Sequence, residues 1–138
     1  MTATLLRAPT RTYSITQLCR EFGATSRALR FYEDRGLLFP SRNGMQRVYS
    51  RADRARVILI LRGRKVGLTV EEIREILEAY DEGGEASQAA RALRTFRRRL
   101  EALQTERRDA EEAIKALQAA CERLSAKCAA TPRAAWGT

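Results

Sequence analysis

The sequence predicts a mainly α chain in which short helices and a small β wing are followed by one very long helix. Three observations carry this reading. Capping residues and glycines cut the first 84 residues into helix-sized pieces, a turn-rich stretch around Pro40 and Asn43-Gly44 interrupts them, and neither Pro nor Gly occurs from Ala86 to Cys128. With 138 residues, 44% hydrophobic and 31% charged, the chain can bury one core with an appendage. Wholesale disorder and two full catalytic domains are excluded.

Residues 1–12 carry Pro9 and two arginines without periodicity, and are expected to form a flexible arm. Ser14 with Gln17 then reads as a capping box for a helix whose apolar positions are Ile15, Leu18, Cys19 and Phe22 and whose end is Gly23. A second helix follows after a tight turn, capped by Thr25 or Ser26 and closed by Gly36, with Ala28, Leu29 and Phe31 as its expected inner residues. The stretch LLFPSRNGMQRVY, with Val48 and Tyr49 favouring strand, describes a hairpin or wing turning at Asn43-Gly44. Ser50 with Asp53 opens a third helix, read as buried because Val57 to Leu61 are all apolar, and Gly63 and Gly67 close it. Thr69 with Glu72 opens a short fourth helix through Ile73, Ile76 and Leu77, which stops near Gly83-Gly84. The domain boundaries so read are 13–84 for the first domain, 85–128 for the long helix and 129–138 for a flexible tail.

Along the long helix Leu93, Phe96, Leu100, Leu103, Arg107, Ala110, Ile114, Leu117, Cys121, Leu124 and Cys128 alternate at spacings of three and four, the seam of a left-handed coiled coil. A helix of about 43 residues would extend roughly 65 Å, too far for a small domain to cover, so a second chain is expected to bury the seam. A homodimer through Leu93, Phe96, Leu100, Leu103, Ile114, Leu117 and Leu124 follows, the two helices running parallel or antiparallel.

Charge locates the expected partner. Residues 1–67 hold 14 Lys and Arg against 4 Asp and Glu, a net +10, whereas residues 68–138 hold 12 against 13, a net −1. That asymmetry is the footprint of a polyanion-binding module, nucleic acid before membrane, joined to a neutral interaction module. The chain has no histidine, which removes Ser-His-Asp, Cys-His and HExxH chemistry. Its three cysteines form no CxxC pair or disulfide framework, no stretch is apolar enough for a membrane span or signal segment, and a cytoplasmic location is expected.

The segments TSRALRFYEDRGLLFPSR and RVYSRADRARVILILRGRKVGLTVEEIREIL resemble the MerR family of bacterial transcription regulators. The resemblance runs from about Tyr13 to Leu77. It implies a winged helix-turn-helix DNA-binding domain followed by a long antiparallel coiled-coil dimerisation helix. It further implies a homodimer on a near-palindromic operator in double-stranded promoter DNA, sharing that promoter with sigma-factor-containing RNA polymerase. Family members bend and untwist the spacer between the −35 and −10 elements, a control exerted through DNA shape.

In that setting a recognition helix starting at Thr25 directs Ser26, Arg27 and Arg30 toward the major groove, with Arg27 the foremost base reader. Tyr32 is placed to hydrogen-bond a phosphate, as its counterpart does in the family, while Phe31 is expected in the core. In the wing, Arg47 and Tyr49 share one strand face suited to clamping a phosphodiester, Arg42 and Gln46 reach the flanking groove, and Lys65 with Arg64 are secondary phosphate candidates.

With ten residues after Cys128, no separate ligand domain is expected there. The family's metal sensors carry cysteines in this region, but Cys121 and Cys128 lie two turns apart, roughly 10.5 Å along one helix. They are read first as seam residues, then as a thiol switch or metal ligands, and no metal site or cofactor is assigned. A narrower similarity links TSRALRFYEDRGLL and LILRGRKVGLTVEEIREIL to regulators of branched-chain amino acid and acyl-CoA catabolism, which implies either an acyl-CoA effector or no small-molecule effector at all. The competing classes are a coiled-coil scaffold with nonspecific nucleoid binding and a thiol oxidoreductase at Cys121 or Cys128, the latter unsupported by any motif.

Overall fold

A computed structural model describes residues 11–130. Most of the expected N-terminal arm, residues 1–10, and the tail from residue 131 onward lie outside the described residues. The chain divides into two compact units, Met1–Thr95 and Phe96–Thr138.

The first unit begins with β1 (Tyr13–Ser14), α1 (Ile15–Phe22) and α2 (Ser26–Asp34). The Ser14 capping box is present, with Ser14 Oγ accepting from Gln17 N at 3.1 Å and Gln17 Oε1 accepting from Ser14 N at 2.7 Å. Gly23 ends α1 at φ 68°, the left-handed geometry that glycine adopts without steric penalty. Thr25 caps α2, its Oγ1 accepting from Ala28 N at 3.0 Å.

The wing consists of β2 (Ser41–Asn43) and β3 (Gln46–Tyr49), paired Ser41 with Val48, Arg42 with Arg47 and Asn43 with Gln46. The loop is therefore Gly44-Met45, one residue beyond the expected Asn43-Gly44, and Gly44 supplies the positive φ that a II′ hairpin places first. β1 adds a third strand, pairing Tyr13 with Tyr49 and Ser14 with Val48, so the sheet order is β1-β3-β2. Two residues carry no readable alternation, which is why the sequence shows only the helix after them.

Next, α3 (Arg51–Lys65) starts on the Ser50 and Asp53 capping box. Asp53, 2% exposed, accepts from Ser50 N and Ser50 Oγ at 3.1 Å each and from Phe39 N at 3.2 Å. One carboxylate thereby ties the wing's exit, the helix start and the segment leading into the wing. Gly63 does not end this helix but lies buried within it. A Cβ there would stand 3.1 Å from Ile73 Cγ1 and 3.2 Å from Leu68 Cδ1, so glycine permits close approach of the following segment. The expectation of a wholly buried α3 is also corrected. Val57 and Ile60 are buried, whereas Ile58 and Leu59 line an apolar groove of about 400 Å3 with Ala52, Ala55, Leu77 and Tyr80. A helix packed on one side buries a stripe and not its whole circumference.

The last element, α4 (Val70–Ala130), starts on the Thr69 and Glu72 box and is interrupted at Gly83 and Gly84, whose backbone is non-helical. In the first unit its early turns bring Ile73, Ile76 and Leu77 into a core with Leu18, Leu29, Leu37, Tyr49 and Ile60. The described part of the second unit, Phe96 to Ala130, is helical, with Phe96, Leu100, Leu103, Ile114 and Leu117 all exposed. Ala129 and Ala130, expected in the tail, are still helical. Replacing Asp53 with Ala removes a charged acceptor and strands buried donors, so the unfolding free energy is expected to fall by about 2–3 kcal/mol. Urea denaturation measures this, and an unchanged midpoint would show that the carboxylate does not hold the wing.

Candidate nucleic-acid interface

The face of α2 follows from helical spacing. Leu29 and Tyr32, three apart, face the core at 0% and 8% exposure, which leaves Arg27, Arg30, Phe31 and Asp34 on the open side. Arg27 in the first turn of α2 and Arg30 at its middle are thus exposed. Phe31 and Tyr32 are interchanged relative to expectation. Phe31 is 42% exposed and carries the Arg35 guanidinium at 5.1 Å from its ring centroid, while Tyr32 packs edge-on to it at 5.6 Å and lies mostly inside. The i+3 relation to Leu29 marks Tyr32 as inward, and it was the available signal for this pair.

Ser26 is half-buried and partly engaged, with its Oγ 3.7 Å from Cys19 Sγ across the turn between α1 and α2. This contact makes Cys19 a link between the two helices.

The wing is joined to α2 by Glu33, near the helix's carboxyl end. Its carboxylate accepts from Arg47 Nε at 2.6 Å and from Arg42 Nη2 at 3.0 Å. The bond to Arg47 is the main cause holding that guanidinium above its ordinary pKa, so its charge is secure. The two wing arginines are therefore brought together beside α2, their charge partly offset by one acid that the sequence did not single out. Gln46 and Met45 lie exposed toward the tip, Met45 at 95%. On the first helix Arg54 of α3 holds Glu21, with the Nε contact at 3.2 Å, and the same arginine stacks 5.3 Å over Phe22. Glu21 is drawn below its ordinary value chiefly by this bond. Lys65 is exposed in the last turn of α3, while Arg64 donates to Leu68 O at 2.9 Å.

Tyr49 requires a correction. The sequence puts it on an open strand face with Arg47, gripping a phosphate, yet its side chain is fully buried. The shared face looks inward toward the helices. There Arg47, with its longer side chain, reaches Glu33, while the shorter reach of Tyr49 ends in the core. Its hydroxyl has no hydrogen-bond partner, and burial pushes the phenol above its ordinary value of 10.0.

Cys121 and Cys128 are exposed on α4, which stays helical between them. Among the described residues no group of three or more Cys, Asp or Glu side chains is arranged to hold a metal ion, and no helix is long and apolar enough to cross a membrane.

Residues 13–80 match the family described as MerR HTH family regulatory protein, and residues 54–120 match that described as MerR, DNA binding. Over 67 residues the chain is 36% identical to the HTH-type transcriptional regulator CueR of Salmonella typhi, covering 46% of this chain and 48% of that protein. The same identity and length hold for CueR of Escherichia coli O157:H7, at 46% and 49% coverage. The chain spans about half the length of the curated relatives it matches. A similar fold occurs in the crystal structure of MtaN, the Bacillus subtilis multidrug transporter activator N-terminus, with 25% identity, TM-score 0.59 and coverage of 79% of this chain and 97% of that one. HiNmlR, described as a MerR family regulator lacking the sensor domain and bound to promoter DNA, shares the fold at 19% identity and TM-score 0.59 over 88% of this chain and 98% of that one.

Tyr49→Phe is expected to stabilise the protein by about 1 kcal/mol, because the hydroxyl removed is buried without a partner, and to leave DNA affinity unchanged. A raised phenol pKa contributes stability below the unfolded value of about 10 that is lost as pH rises through the folded value. Urea melts across pH 9–11 should therefore show a shallower alkaline decline in the variant. A destabilised variant with weakened DNA binding would return Tyr49 to the interface.

Proposed function

Because the chain belongs to the MerR family of helix-turn-helix regulators, we propose that it is a sequence-specific DNA-binding transcriptional regulator and not an enzyme. It acts in the cytoplasm as a homodimer on a palindromic operator in promoter DNA. The single observation that carries this reading is the exposed Arg27 and Arg30 face of α2, with Arg42 and Arg47 drawn beside that helix by Glu33.

An α-helix fits the major groove of B-DNA, where arginine can bind guanine O6 and N7 in bidentate fashion. Arg27 and Arg30 supply that readout. Arg42 and Arg47 keep spare donors after contacting Glu33, since a guanidinium has five N–H groups, and these serve the phosphates flanking the groove. Gln46 and Lys65 extend the same backbone contacts, and Tyr32 and Ser26 contribute only through what their packing leaves open. Two wings gripping one duplex from both half-sites supply the leverage to distort the spacer between the −35 and −10 elements, where sigma-factor-containing polymerase binds. Bending of this kind costs on the order of 1–6 kcal/mol, a range that several phosphate contacts offset.

In vitro selection with the purified protein tests the reading. A two-fold symmetric site should emerge, and its affinity should fall steeply with salt. Arg27→Ala is expected to relax preference at one base pair per half-site by about 1–3 kcal/mol. Arg42→Ala should weaken all sequences alike and lower the magnitude of the log–log salt slope by about 0.9 for each phosphate no longer neutralised. Enrichment of no palindrome would replace the regulator with a nonspecific basic scaffold.

A further inference from the structure

We infer that Glu33 is an internal competitor for the DNA backbone: its carboxylate holds the two wing arginines as a phosphodiester would, and so limits how tightly the protein grips any duplex. This rests on the DNA-binding reading above and gives one acid within that interface a role opposed to binding.

Glu33 Oε1 accepts from Arg47 Nε at 2.6 Å and Oε2 accepts from Arg42 Nη2 at 3.0 Å, so one anion bridges two guanidiniums with a separate oxygen for each. A phosphodiester presents an equivalent pair of charged oxygens in its two non-bridging atoms, and arginine binds carboxylate and phosphate through the same fork of donors. Arg42 and Arg47 are directly paired across the wing's two strands, which sets both at one level beside the end of α2. The acid that gathers them also cancels one of their two positive charges. While the carboxylate stays in place, a phosphate meets only the donors that Glu33 leaves open.

Stability does not account for the acid. Its side chain is 21% exposed and those of Arg47 and Arg42 are 23% and 47% exposed, so water screens both pairs and leaves them little net worth. The wing is held by other means, since β3 pairs with β1 on its other edge and Asp53 joins the wing's exit to α3. Loss of the carboxylate therefore costs the fold little and returns a full charge to the side of the wing that meets DNA. Such a limit acts on every sequence alike, because phosphates carry no sequence information. Its consequence is a shorter residence on all DNA, which lets a basic domain leave nonspecific sites.

Fluorescence anisotropy with the full-length chain tests this on two duplexes, the selected site and a scrambled one. Glu33→Gln is expected to tighten both by a similar, several-fold factor and to steepen the log–log salt dependence by about 0.9 for each extra phosphate neutralised. Asp34→Asn is the matched control, removing the same charge one residue away from an exposed side chain that, among the described residues, forms no salt bridge with either wing arginine. In a background of Arg42→Gln with Arg47→Gln the gain from Glu33→Gln should vanish, whereas any gain from Asp34→Asn should largely remain. Equal gains from the two acids in both backgrounds would reduce the effect to net charge and overturn the inference. Weaker binding by Glu33→Gln, or a urea midpoint far below the parent's, would overturn it as well, by showing that the acid serves to hold the wing. The scrambled duplex requires no operator, so a failure to select a palindrome removes the regulator reading while the competition at Glu33 is still decided on that duplex.

Discussion

The buried carboxylate of Asp53 is the constraint on which the arrangement of the wing and the helix that follows it depends. It accepts from both polar groups of Ser50 and from the backbone of Phe39, so it fixes where the wing ends, where α3 begins and how the preceding connection returns to the core. A buried acid without those donors would be strongly unfavourable. With them satisfied, the short β3 strand can hold Tyr49 among the leucines and isoleucines of the core despite contributing only four residues.

From that anchored sheet the functional geometry is built outward. The wing could swing as an exposed hairpin, but Glu33 fastens two of its arginines to the end of α2. Exposed ion pairs contribute little to stability, and their effect here is orientation. Positive charge that would otherwise be spread over flexible side chains is gathered next to the helix that presents Arg27 and Arg30. The acid lowers the local net charge yet leaves each guanidinium with donors to offer, a compromise between holding the wing and meeting an anion.

The second unit poses the opposite problem, with little in its own chain to constrain it. Its seam has the spacing of a coiled coil but is exposed over its length, and its ordering within a protomer comes from helical hydrogen bonding and pairs such as Arg99 with Glu106 at 3.8 Å. An isolated helix of good helix formers persists at this length, but the apolar stripe has a use only when covered.

The sequence by itself determined the helix starts at Ser14, Ser50 and Thr69, a further start at Thr25 or Ser26, the wing, the glycine break in α4 and the basic first half. These are legible because a cap needs a partner only three residues away, and a heptad seam or a charge excess is a one-dimensional pattern. Tertiary structure decided what depends on distant surfaces. It buried Tyr49 and Tyr32 and exposed Phe31, placed Gly63 inside α3 against Ile73, added β1 to the wing and turned Arg42 and Arg47 onto Glu33. The physical reason is that adjacent helix residues point about 100° apart and successive strand residues point to opposite faces. Which face is inner is set by the element packed against it, and for these residues that element lies far along the chain.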